Sequence, residues 1–65
     1  MLKINCQKVI LARANAGLTA RELSKLSNVG ANTISRIENG CSQPKASTIG
    51  KIAKALNVPL LELLV

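Results

Sequence analysis

A break in helical period limits this chain more than any other feature. Residues 18 to 40 read as a helix, a tight turn at Asn28-Val29-Gly30, and a second helix whose apolar positions are Ile34 and Ile37. Thr19 is a good N-cap, and Glu22 three residues later completes a capping box, so the first of the two helices opens there. Asn28 tolerates a left-handed backbone, and Val29 can point inward as a plug. Gly30 lets the chain pass into the next helix without side-chain bulk. A short rigid turn of this kind fixes one helix against the other.

Similar punctuation recurs at Gly17, at Gly40 with Pro44, and from Asn57 to Pro59. It divides the chain into five short helices, at residues 2 to 15, 19 to 27, 30 to 38, 46 to 56 and 60 to 64, with Ser47 or Lys45 opening the fourth. No strand-like alternation, repeat or low-complexity tract interrupts the pattern, which predicts an all-α fold. A chain of 65 residues has room for one small domain with one core, spanning 1 to 65.

Nine Lys plus Arg against three Asp plus Glu leave a net charge of +6, which favours a polyanionic partner, although a solubilising surface satisfies the same numbers. The absence of Phe, Trp and Tyr counts against single-stranded nucleic acid, whose bases stack on aromatic platforms. It counts equally against an amphipathic membrane-surface helix. A duplex is the better fit. Histidine is absent, and the two cysteines, Cys6 and Cys41, are far apart in sequence. Neither a zinc site nor a His-based catalytic centre is therefore expected, and no cofactor or small-molecule ligand. Three acidic residues leave nothing to serve as a general base beside a nucleophile, so an enzyme is the poorest reading. Cys6 reads as a small core residue and Cys41 as an exposed turn residue. The apolar run from 9 to 12 is too brief for a secretory signal or a membrane span, which makes a reducing cytoplasm the expected compartment.

On a wheel of about 100° per residue, Leu2, Cys6, Val9 and Ile10 share one face of the first helix with Arg13 in its middle. A buried guanidinium needs a carboxylate, and only Glu22, Glu38 and Glu62 exist. Glu22 is taken by the cap and Glu38 sits at the edge of the inward face of the third helix, so spacing favours Arg13 with Glu38. The alternative is an Arg13 that snorkels to water on a buried stem. Opposite Ile34 and Ile37, the third helix shows Asn32, Ser35, Arg36 and Asn39, flanked by Ala31 and Thr33. Arginine can donate two hydrogen bonds to a guanine edge and asparagine can pair with an adenine edge, so Asn32 and Arg36, one turn apart, suit neighbouring bases.

Arg13, Gly17-Leu18-Thr19, Glu22-Leu23, Val29, the string Thr33-Ile34-Ser35-Arg36-Ile37-Glu38-Asn39-Gly40 and Pro44 resemble the Xre-type helix-turn-helix family, which includes the phage lambda and 434 repressors and Cro proteins. The likeness runs from about residue 3 to residue 64. It implies a compact five-helix, lambda-repressor-like DNA-binding domain and a sequence-specific regulator of transcription in a bacterial or phage-host cytoplasm, at the nucleoid. The segment from 30 to 38 would be the recognition helix in the major groove, with Ala31, Asn32 and Arg36 at base-contacting positions and Ala31 against a thymine methyl. Thr33, Ser35, Asn39 and Gln43 would lie along the DNA backbone, with Thr19 and Arg21 at the start of the second helix and Lys45 before the fourth. Arg13 and Glu38 match a family ion pair. The partner implied is double-stranded DNA, bound as a homodimer on inverted half-sites about one helical turn apart.

Three departures stand out. Ala20 replaces the family's usual glutamine, where Arg21 can reach a phosphate instead. Gly30 removes a side-chain cap, and Cys41 with Gln43 occupy a loop that is often basic. Ile4 and Leu11, Leu26, and Leu61 with Val65 fall outside the expected core. Leu61 and Val65, at one helix spacing, suggest a surface that touches a second copy or another protein, and a chain that continues into a further domain would look the same. The competing function is a protein-interaction module, an antitoxin or adaptor built on the same fold.

Overall fold

The computed structural model describes residues 3–41 and 43–65, which form four α-helices: α1 (Cys6–Asn15), α2 (Ala20–Ser27), α3 (Ala31–Glu38) and α4 (Ala46–Leu56). A 3-10 turn, Leu60–Leu63, follows. The helix ends are written in the sequence. Gly17, Asn28, Gly40 and Asn57, one after each α-helix, all take positive φ, between 57° and 73°. After α3, the Gly40 N–H bonds the Ile37 carbonyl at 3.1 Å and the Cys41 N–H bonds the Arg36 carbonyl at 2.9 Å. Those two bonds make a Schellman motif, which satisfies carbonyls that a helix end leaves bare. The same pair closes α1, from Gly17 to Ala14 and from Leu18 to Arg13, and closes α4, from Asn57 to Lys54 and from Val58 to Ala53.

Helix starts are less uniform. At α2 both bonds of the capping box form, the Glu22 N–H to Thr19 Oγ1 at 3.0 Å and the Thr19 N–H to Glu22 Oε1 at 2.8 Å. Gly30 and Lys45 precede α3 and α4 without a side-chain cap. The first helix begins at Cys6 rather than at residue 2, because Asn5 caps it by accepting the Gln7 and Lys8 N–H groups. Leu2 lies outside the described residues.

Residues 3 to 5 are committed elsewhere. The Asn5 N–H donates to the Leu63 carbonyl at 2.7 Å, the Val65 N–H donates to the Lys3 carbonyl at 3.0 Å, and Ile4 forms an isolated antiparallel bridge with Leu64. This pairing buries Ile4, expected outside the core, to 5% exposure. It also accounts for the fifth expected helix, which is the 3-10 turn instead. Between Pro59 and an extended Leu64 only four residues remain, and they close with three-residue bonds from Glu62 to Pro59 and from Leu64 to Leu61.

The core is formed by Val9 of α1, Leu23 of α2, Ile34 and Ile37 of α3, Ile49 and Ile52 of α4, and Leu63, all fully buried. Each such side chain contributes about 1.5–3 kcal/mol through removal from water. Through them α2 packs on α3 and α4, α1 packs on α3, and the 3-10 turn closes against α1 and α4. Cys6 is half-buried, and Ile10, expected inward, is 36% exposed.

Candidate nucleic-acid interface

The turn between α2 and α3 is fixed by side chains as well as by backbone. Asn28 takes φ 58°, which redirects the chain, and Val29 is 7% exposed and packed into the core. Ser24 Oγ donates to the Val29 carbonyl at 2.6 Å, and the buried Ser27 donates to the Leu23 carbonyl at 2.6 Å. The Ser24 bond ties α2 to the turn and helps hold α3 at one angle to α2, whereas the Ser27 bond is satisfied within α2 itself. Sequence reasoning missed these two serines, although both are polar residues in the helix that leads into a left-handed Asn28.

The second constraint on α3 comes from below. Arg13 Nε donates to Glu38 Oε2 at 2.6 Å, its second amino group donates to Glu38 Oε1 at 3.1 Å, and Nη1 donates to the Leu18 carbonyl at 2.9 Å. This fork ties the last turn of α3 to α1 and to the loop after it. The side chains are 22% and 12% exposed, so the charges are largely out of water but fully bonded. The hydrogen bond to Glu38 raises the Arg13 pKa above the usual arginine value, against the opposing effect of burial.

With its inner face buried through Ile34 and Ile37, α3 presents Ala31, Asn32, Ser35 and Arg36 to solvent, with Asn39 just beyond its end. Thr33 is half-buried at the side. Arg21, Lys45 and Gln43 are also exposed. Thr19 is exposed too, but its hydroxyl is engaged in the capping box. Gln43 has a structural task of its own: its Oε1 accepts the Ile4 N–H at 3.2 Å. Leu61 and Val65, 78% and 82% exposed, lie at the other end of the chain, near a shallow pocket lined by Lys8, Leu11, Ala12, Asn15, Val58 and Glu62.

Arg21 of α2 and Arg36 of α3 are exposed, whereas Glu22 and Glu38 are each already hydrogen-bonded within the fold. Glu22 is held by Thr19, whose backbone N–H above all lowers its pKa below the usual carboxylate range, and Glu38 is held by Arg13. The third carboxylate, Glu62, belongs to the pocket beside α1. Among the described residues no group of three His, Cys, Asp or Glu could hold a metal ion, and no helix is long and apolar enough to cross a membrane.

The fold and the paired α2 and α3 define a helix-turn-helix protein. The chain belongs to the helix-turn-helix family HTH_3, which matches residues 9–63. Over 48 residues, 72% of this chain, it is 48% identical to the HTH-type transcriptional repressor RghR of Bacillus subtilis (strain 168), and the match covers 36% of that protein. The chain thus spans about a third of the repressor's length. It is also similar to the crystal structure of the restriction-modification controller protein C.AhdI from Aeromonas hydrophila. The TM-score there is 0.85 at 26% identity, over 88% of this chain and 86% of that one. A crystal structure of an HTH_3 family transcriptional regulator from Vibrio cholerae superposes with a TM-score of 0.84 at 26% identity, over 88% of this chain and 32% of that one.

Proposed function

We propose that this chain is a sequence-specific double-stranded DNA-binding module of a transcriptional regulator, with α3 lying in the major groove. The observation that carries this reading is the exposed polar face of a helix held rigidly from two sides, by the turn that Ser24 bonds and by the Arg13–Glu38 fork. In this reading Asn32 and Arg36 read base edges and Ala31 contacts a thymine methyl. Thr19, Arg21, Thr33, Ser35, Asn39, Gln43 and Lys45 fix the protein along the phosphates. The 65 residues act as one module, and two copies bind inverted half-sites. The names of the relatives support the same class of activity, and none of them describes an enzyme.

Selection of bound sequences from random duplexes tests the reading and yields half-site, symmetry and spacing together. Replacing Arg36 with Ala is expected to weaken binding to the selected site by about 1–3 kcal/mol and to relax preference at one base pair, while low-salt non-specific binding survives. An equal loss on every sequence would exclude a base-reading Arg36. A stoichiometric protein partner, with no measurable duplex binding at low salt, would turn the reading toward an interaction module.

A further inference from the structure

The fold lays the loop that carries Cys41 beside Cys6, far from it in sequence. Cys6 is the first residue of α1, and a Cβ built on Gly40 would sit 3.9 Å from Cys6 Sγ. Cys41 is the next residue, its Cα about 3.8 Å further along the chain. A second, independent contact holds the same two segments together, the hydrogen bond from the Ile4 N–H to Gln43 Oε1 at 3.2 Å. The loop after α3 thus lies against Cys6 at Gly40 and is hydrogen-bonded to Ile4 through Gln43, one position on each flank of the loop that carries Cys41. Both thiols are free, Cys41 exposed and Cys6 half-buried, and Cys41 Sγ turns back toward the Asn39 carbonyl at 3.8 Å.

We infer that Cys6 and Cys41 are a reversible dithiol–disulfide pair that an oxidising small-molecule disulfide closes within one chain. The chemistry takes two exchanges. The exposed Cys41 thiolate attacks one sulfur of oxidised glutathione and releases the first glutathione thiolate. Cys6 thiolate then attacks the Cys41 sulfur of the mixed disulfide and expels the second. The two cysteine protons end on two glutathione thiols, so one protein disulfide forms as one glutathione disulfide is reduced.

A disulfide holds its Cα atoms about 4.4–6.8 Å apart and turns Cys41 Sγ away from the Asn39 carbonyl, so closure constrains Cys41 against the first residue of α1. The Cys41 N–H is the donor that caps the Arg36 carbonyl, so the same constraint acts on the C-terminal turn of α3 and the loop carrying Asn39 and Gln43. The consequence for binding rests on the function proposed above: the oxidised form binds its DNA site several-fold more weakly, and a reducing agent restores it.

The test uses the whole chain in glutathione buffers of graded redox ratio, read first by alkylation and intact mass and then by duplex binding. The expected result is joint loss of both alkylatable thiols in a monomer, and a peptide containing Cys6 crosslinked to one containing Cys41. Cys6→Ser should stop at a glutathione adduct on Cys41, and Cys41→Ser should leave Cys6 alkylatable and duplex binding insensitive to oxidant. Persistent free thiols, a glutathione adduct on wild type, or a crosslink between two chains through Cys41 would each overturn the pairing. Because the thiol readout needs no DNA, a reduced protein that fails to bind any duplex sinks the proposed function while the pairing is still decided by mass. An oxidised monomer that binds its site as tightly as the reduced one removes the coupling to α3.

Discussion

Arg13 illustrates how one side chain links stability to the geometry of the candidate interface. Its three hydrogen bonds run to two carboxylate oxygens of Glu38 and to the Leu18 carbonyl, so a planar fork spans α1, the following loop and α3. Lysine keeps the charge, but a single ammonium on a flexible stem cannot hold all three acceptors in that plane. Arg13→Lys is therefore expected to destabilise the fold by about 1–2 kcal/mol. A drop in melting temperature of about 4–8 °C per kcal/mol would report it. Neither Arg13 nor Glu38 faces outward from α3, so the variant should lose affinity without changing which bases a duplex selection recovers. A changed base preference would mean that the pair does more than hold α3 in place.

At the scale of elements, local chemistry explains the middle of the chain well and its ends poorly. The capping box at Thr19 and Glu22, the left-handed Asn28 and the Gly40 closure are all set within a few residues, and the sequence shows them directly. The first and last elements are decided by each other. Residues 3 to 5 stay extended because they bond residues 63 to 65, and that pairing fixes the phase of α1, burying Ile4 and turning Ile10 outward. No periodicity within either segment encodes a partner nearly the whole chain away. The polar face of α3 was readable because its buried isoleucines set the wheel, whereas the Ser24 bond to Val29 depends on the turn that it holds.

Helix chemistry also predicts opposite signs for two glycines. Gly50 sits inside α4, where an added Cβ would meet nothing within 4 Å, so Gly50→Ala should raise stability by about 0.5–1 kcal/mol. Gly17 has equal space but φ 72°, and there alanine should cost about 1–2 kcal/mol through backbone strain alone. Thermal melts of the two variants check both signs, and a stabilising Gly17→Ala would show that the α1 closure relaxes without it.

For the whole molecule, size and surface bear on how many copies work together. The described residues extend over 28 × 22 × 19 Å, less than the roughly 34–36 Å between half-sites one helical turn apart, so in the proposed reading one copy covers one half-site. A module this small buries little surface on DNA, and a second copy is the direct way to raise affinity. Among the described residues Leu11, Leu26, Leu61 and Val65 are the large apolar side chains left mostly exposed, and Leu61 and Val65 are the most exposed of them. Leu61→Asp places a charge there with little effect on folding, within about 0.5 kcal/mol for so exposed a position. If two copies bind inverted half-sites as proposed, the variant should bind a duplex carrying one half-site as the parent does, yet show less cooperative binding than the parent on two half-sites. Titration of both duplexes, with sedimentation of the free protein, separates the outcomes. Cooperative binding that survives Leu61→Asp would move the contact between copies to another face, or into the bent DNA itself.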